Sequence, residues 1–316
     1  MEGDVKPSRV LFYAHFNEFG RVEDYVVYQL QQMRGIFDTI VLVSNSPVSE
    51  KDQTRLSSLC DTLMQRENVG FDFAAWRDGM NAFGWTRLTA CREITVMNDT
   101  CFGPLFDFDE LYSAMQSRGC DFWGITTNIA LPDVLVDGDR ATLKAPAHIQ
   151  SYYMTFNAGV ISAPIFKEFW TGVKDYPEAL DVIDNYEVGL TRVLTGGGFT
   201  FSVFFDAVNH WSSGHLDKYN TVFACPLWLV ESVDRYPFIK TKAIRLDPEQ
   251  VDGLRSFIEN HTSYPVQLVD SYIGGRYYAL WKEKDDEIQS LRNSRAFRVS
   301  QVLASPFRGV MRMVGR

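Results

Sequence analysis

From residue 10 onward, short apolar runs alternate with segments of helical period, and this alternation limits what the chain can fold into. The runs VLFYAH at 10–15 and TIVLVS at 39–44 do not alternate polar with apolar residues, so they read as strands buried on both faces. Between them, Val26, Val27, Leu30 and Met33 recur at helical spacing within 23–33. Asn45-Ser46-Pro47 turns the chain after the second run. The same reading predicts helices over 53–63, 77–83, 108–118, 165–173 and 186–195, the last closed by Gly196-Gly197-Gly198. Strands are expected over 62–66, 93–97, 121–126, 156–162 and 199–205. Such repetition needs crossover connections and predicts an α/β fold, a mainly parallel, Rossmann-like sheet covered by helices on both faces. With no repeat and no low-complexity linker, one domain is expected over 1–279. A charged helix over 280–301 and a basic, apolar tail over 302–316 should follow.

Composition narrows the partners. A net charge of −9 argues against nucleic acid. Residues 288–316 carry six arginines and no acid, which leaves −15 on the rest. In this tail, Arg292, Arg295, Arg298, Arg308, Arg312 and Arg316 interleave with Phe297, Val302, Leu303, Phe307 and Met311. Such a segment suits an anionic membrane surface, a solvated helix end or a strap between subunits. Aromatics make up 14% of the chain and are spread along it, which reads first as core and second as rings lining a cleft. The five cysteines show no CxxC spacing and read as reduced thiols. The N-terminal sequence lacks a signal-peptide core, and no apolar run approaches the ~18–20 residues that span a bilayer. The expected location is the cytoplasm, with membrane contact only at the surface. Monomer and oligomer both stay open.

Two segments carry chemistry. The first is residues 68–79, Asn68-Val69-Gly70-Phe71-Asp72-Phe73-Ala74-Ala75-Trp76-Arg77-Asp78-Gly79, placed where a strand end meets a helix start. Open α/β sheets bind ligands there. Gly70 permits close backbone approach, Asp72 suits an N-cap or a sugar ligand, and Arg77 suits a diphosphate through paired hydrogen bonds. A capped helix with an aromatic core contact accounts for the segment equally well. The second is residues 94–104, in which an apolar strand delivers Asn98 and Asp99 before Gly103-Pro104 turns the chain. One carboxylate there can hold a divalent cation against a leaving diphosphate, or simply cap a turn.

Together the segments resemble the nucleotide-binding half of GT-A sugar transferases, in which a glycine-containing element precedes a strand ending in an acidic motif. They are similar above all to the rhamnan synthesis protein F family. Its hallmarks N-x-G-x-D-F-x-x-[WY]-R-D-G and N-D-[ST]-x-x-G-P are both complete in this chain. The resemblance continues through Asp121–Thr126, His148–Tyr153, Phe156, Phe166–Trp170 and Tyr186–Thr191, over roughly residues 9–240.

That resemblance implies a GT-A-like glycosyltransferase, with a donor half over about 9–126 and an acceptor half over about 127–279. It implies inverting transfer of L-rhamnose from dTDP-L-rhamnose to a saccharide on a polyprenyl-diphosphate carrier, at the inner face of the cell membrane. Asn68, Gly70, Asp72, Arg77, Asp78, Asn98 and Asp99 are its donor-binding residues. Mg2+ or Mn2+ would sit at Asp99, although Asn98-Asp99 supplies one carboxylate where D-x-D supplies two. For the base, Glu187 is the first candidate, with Asp184 and His148 as alternatives. Asp121, Trp123, His148, Gln150 and Tyr152 are candidates for the acceptor sugar. His15, His210, His215 and His261 show no ligand spacing and take no metal role. A different donor sugar, or a non-catalytic binding partner in polysaccharide assembly, remains open on the same motifs.

Overall fold

In the computed structural model, which describes residues 9–129, 147–212, 226–246 and 248–293, the apolar runs form the centre of an eight-stranded sheet. Strands β1 (Arg9–His15), β2 (Thr39–Ser44), β3 (Thr62–Gln65) and β4 (Glu93–Asn98) run parallel in the order β3-β2-β1-β4. β5 (Cys101–Phe102) lies outside this sheet. β6 (Phe122–Ile129) continues it beyond an antiparallel neighbour formed by β7 (Ala147–Ile149) and β8 (Tyr153–Asn157), and β9 (Phe201–Phe205) pairs parallel with β6. Finally, β10 (Ile239–Lys240) pairs with β5 in a small antiparallel ribbon.

The parallel strands require helices on both faces, and β1 shows how they divide. Its residue Phe12 lies under α3 (Phe71–Phe83), where a Cβ added at Gly79 would meet Phe12 at 3.1 Å. The next residue, Tyr13, points to the other face and donates to Gln29 Oε1 of α1 (Asp24–Met33) at 2.6 Å. On the α3 side, Phe73, Trp76, Trp170 and Tyr186 form one aromatic cluster, with Phe73 stacked on Trp170 at 5.6 Å. Each buried ring of this size contributes about 1.5–3 kcal/mol. The spread of aromatics is therefore largely core.

Boundaries differ from the sequence expectations where a side chain caps a helix. α2 (Glu50–Leu56) begins early because Ser49 accepts from the Asp52 N–H at 3.1 Å. α3 begins at Phe71 and not at 77, and the short α4 (Trp85–Leu88) follows it. α5 (Phe108–Gln116) matches expectation. The strand expected over 156–162 ends at Asn157, whose side chain accepts from the Val160 N–H at 3.1 Å and starts α6 (Ala158–Ile161). α7 (Pro164–Thr171) and α8 (Ala179–Val182) come next. The helix expected over 186–195 is a π-helical turn, Ile183–Glu187, followed by α9 (Val188–Gly196).

The chain divides into two units, 1–269 and 270–316, at a point within the helix Gln267–Asn293. The tail over 302–316 and the end of the helix expected over 280–301 lie outside the described residues. Among the described residues, no helix is long and apolar enough to cross a membrane.

Candidate functional site

β1, β2 and β4 end together at the carboxyl edge of the sheet, the edge at which open α/β proteins bind ligands. There the two sequence segments meet directly. Asn98, the last residue of β4, donates through Nδ2 to Asp72 Oδ2 at 2.6 Å, in the first turn of α3. The amide oxygen of Asn98 accepts from the Thr100 hydroxyl at 2.5 Å. Thr100 Oγ1 in turn accepts from Lys240 Nζ at 2.8 Å. A single chain of hydrogen bonds thus joins α3, β4 and β10. Burial raises the Asp72 carboxyl, and the Asn98 hydrogen bond and the nearby Lys240 charge oppose that rise.

Asp99 turns the other way. Its Oδ2 accepts from the Phe16 N–H at 3.0 Å and lies 3.9 Å from His15 Nε2. The Asp99 backbone oxygen accepts from the Tyr25 hydroxyl at 2.7 Å. Burial pushes the Asp99 carboxyl up to about 8 and the His15 imidazole down to about 4. Among the described residues, no three His, Cys, Asp or Glu side chains gather as a metal site. Asp72 and Asp99 are the carboxyl groups that a divalent cation would meet at this edge.

The second cluster lies beside Asn98. Along β6, Thr127 pairs with Ile149 and Gly124 with Met154, so three steps on β6 face five on its partner and two extra residues bulge out. This bulge contains Gln150, Ser151 and Tyr152, and the Tyr152 backbone oxygen accepts from the Asn98 N–H at 3.3 Å. Glu187, at the end of the π-helical turn, locks onto the bulge. Its Oε2 accepts from the Ser151 N–H at 3.0 Å and from the Ser151 hydroxyl, while Oε1 lies 3.4 Å from His148 Nε2. Burial favours protonation of Glu187, but the His148 and Ser151 interactions outweigh it and hold the carboxylate below its usual range. Asn98 links the two clusters, through its side chain to Asp72 and through its backbone N–H to the bulge that Glu187 holds.

The remaining candidates separate. Arg77 donates to Val173 O at 2.8 Å and pairs with Asp78 and Asp175, and Asp78 pairs with Arg66. These residues tie α3 to the 173–176 loop. Gly70, at φ 75°, makes its close approach to the same loop: an added Cβ would lie 2.9 Å from the Asp175 Cα and 2.7 Å from the Ala74 Cβ. Asn68 is half-buried in the bend before α3. Gln150 is buried and donates its backbone N–H to Thr126 O at 2.9 Å. Tyr152 is buried, with its hydroxyl 3.1 Å from that of Tyr236. Asp184 is exposed, three residues before Glu187 and outside the His148–Ser151 cluster.

Two acceptor candidates lie apart from these clusters. Asp121 precedes β6 at the opposite, amino-terminal edge, where it accepts from the Thr200 N–H and hydroxyl at 2.8 Å. Trp123 is core, packed between Tyr112 at 5.4 Å and Tyr153 at 5.3 Å. Residue type and strand position suggested both. Only register shows which end and which face of the strand they occupy. Conversely, sequence reasoning did not bring Lys240 to this edge, because nothing in the spacing links positions 100 and 240.

The fold is an α/β sheet whose carboxyl edge gathers polar side chains from both of its halves. The chain belongs to the rhamnan synthesis protein F family, which it matches over residues 40–279. It is 30% identical over 163 residues to the Uncharacterized protein y4gN of Sinorhizobium fredii, a match covering 52% of this chain and 40% of that protein's length. With the Virulence protein VirA of Vibrio anguillarum it shares 25% identity over 259 residues, covering 73% of this chain and 77% of the other. Among solved structures, it aligns with core-mannan synthase A of Aspergillus fumigatus in its Mn/GDP form. That alignment has 8% identity and a TM-score of 0.35, covering 64% of this chain and 72% of the other.

Proposed function

We propose that this chain is an inverting glycosyltransferase that takes a nucleotide-sugar donor at the Asp72–Asn98 edge and an acceptor hydroxyl at Glu187. The observation that carries the reading is that Asn98 joins both clusters: its Nδ2 donates to Asp72 and its N–H to Tyr152 O, in the bulge that Glu187 holds through Ser151. The acceptor oxygen attacks the anomeric carbon, and the bond from that carbon to the diphosphate breaks with its electron pair staying on the nucleoside diphosphate. Glu187 takes the hydroxyl proton, while Ser151 and His148 hold the carboxylate ionised and aimed. Backside attack inverts the anomeric centre. No step passes through Mg2+ or Mn2+; a cation enters this reading only as a companion of the diphosphate.

Membership of a rhamnan-synthesis family supports dTDP-L-rhamnose as donor and a growing polysaccharide as acceptor. A polyprenyl-diphosphate-linked acceptor would place the reaction at the inner face of the cell membrane, with the arginine-rich tail meeting anionic lipid. The deciding experiment is transfer across a panel of nucleotide sugars with a lipid-linked saccharide acceptor. Turnover with dTDP-L-rhamnose alone is the expected result. Turnover with another donor would overturn the sugar. Nucleotide binding without turnover on any donor would make the chain a binding module.

A further inference from the structure

Arg77 belongs to the hallmark segment, yet its side chain turns toward the 173–176 loop between α7 and α8. Donor-segment residues hold this loop from one side. The Gly70 N–H donates to Tyr176 O at 3.0 Å, and Arg77 Nη1 donates to Val173 O at 2.8 Å. Asp175 is exposed, so its ion pairs with Arg66 and Arg77 add little, and the bonds to the main chain fix the loop. From the other side, the Tyr186 hydroxyl accepts from the Lys174 N–H at 2.6 Å. The Tyr186 ring packs against Phe73 of α3 and against Tyr176 of the loop, each at 5.6 Å. Tyr186 is buried, and the next residue of its π-helical turn is Glu187.

We propose that Arg77 and Tyr186 are positioning residues for Glu187, gripping the 173–176 loop from opposite sides so that the frame of the donor segment also sets the base. The proposal rests on the reading of Glu187 as base and adds what holds it in place. Ser151 and His148 fix the carboxylate itself, and Tyr186 fixes the main chain behind it. A π-helical turn closes its hydrogen bonds one residue further along than an α-helix does, and such turns recur at functional sites. In this one, adjacent residues reach different partners, Tyr186 the loop and Glu187 the bulge. A shift of the loop therefore reaches Glu187 through a single peptide unit. The path from Arg77 through Val173, Lys174 and Tyr186 to Glu187 consists of hydrogen bonds and covalent links throughout. Misplacing a reacting group by about 1 Å can cost roughly 10²-fold in rate, so a base carried on a turn gains from such a grip.

The test combines amide hydrogen exchange of the full chain with kinetics on the donor that gives turnover. Exchange of the Ser151 N–H reads the Glu187 contact directly. Tyr186→Phe removes one hydroxyl and keeps the ring. It should speed exchange at Ser151 by roughly threefold to tenfold, with exchange in β1 unchanged. Arg77→Met should do the same, and Arg77→Lys should restore part of the protection. Should the methionine variant melt, Arg77→Gln supplies the comparison. Both variants should lower kcat by roughly 10- to 100-fold, with the KM for donor and the affinity for thymidine diphosphate unchanged. The double variant should lose little beyond either single one, because both act through one loop. Unchanged exchange at Ser151 in the folded variants would overturn the proposal, as would a rise shared equally by β1. Faster exchange with full kcat, or additive losses of kcat, would make these contacts structural alone. Weaker thymidine diphosphate binding in Arg77→Met only would make Arg77 a donor ligand, also against the proposal. Full kcat in Glu187→Gln would instead remove the base, while exchange at Ser151 still decides whether the loop holds that side chain.

Discussion

Asn98 Nδ2 donates to Asp72 Oδ2 at 2.6 Å, tying the end of β4 to the first turn of α3. The bond joins the two motif segments that the chain keeps far apart in sequence. Asp72→Ala would leave the Asn98 amide without this partner and should lower stability by about 1–3 kcal/mol. If the pair also shapes the donor site, nucleoside diphosphate affinity should fall by roughly tenfold or more. Denaturant unfolding and calorimetry measure the two effects separately. A stability loss with unchanged affinity would make the pair a structural tie alone.

Glu187→Gln should reduce kcat by roughly 10²- to 10⁴-fold, the usual contribution of a positioned base, with little change in the KM for donor. Asp184→Asn should leave both constants unchanged, because Asp184 is exposed and outside the cluster. The pH profile has a defined sign. The Glu187 carboxyl is held below its usual range, so the ionised form that acts as base persists well into acid. Its contribution to stability is full above the unfolded value and is lost only as pH falls through the depressed folded value. An acid limb near neutrality that disappears in Glu187→Gln would contradict this.

Asp99 predicts the opposite slope. Burial raises its folded value to about 8, whereas the unfolded chain releases this proton near 4. The stabilisation is complete below the unfolded value and is lost as pH rises through the folded one. Asp99→Asn keeps an oxygen for the Phe16 N–H and removes the titration. The Tm of the wild type relative to this variant should therefore fall steadily from pH 5 to pH 8. A constant difference would mean that Asp99 is ionised throughout.

Asp121 and Trp123 should govern stability and not transfer. Trp123→Ala removes a buried ring and should cost about 3–5 kcal/mol. Asp121→Ala removes both Thr200 hydrogen bonds and should cost on the order of 1–2 kcal/mol. Provided the variants are assayed where they remain folded, kcat and KM should match the wild type. A selective loss of acceptor affinity in Asp121→Ala would return that residue to the site.

The parallel core was legible because burial on both faces leaves a local mark, a continuous apolar run such as residues 10–15 or 39–44. The motif segments were legible for a related reason. Strand ends and helix starts carry glycine and short polar side chains that the backbone demands locally. The π-helical turn was not legible, since the spacing around Tyr186 and Val188 suits an ordinary helix, and an inserted residue changes that pattern only slightly. Nor was the bulge at Gln150–Tyr152. Its two extra residues become visible only against the register of β6.

By itself, the sequence determined the sheet's parallel half, the two motif segments and the family, all of which rest on contiguous residues. Tertiary structure decided which of the polar residues share a space. It joined Asp72 to Asn98, set Glu187 on Ser151 and His148, and turned Arg77 and Asp78 toward the 173–176 loop. It also brought Lys240 to Thr100 through pairing of β10 with β5, and left Asp121 at the far edge. The reason is physical. Local propensity acts over a few residues, whereas a site is made by strand register and side-chain direction between segments with no sequence relation to one another.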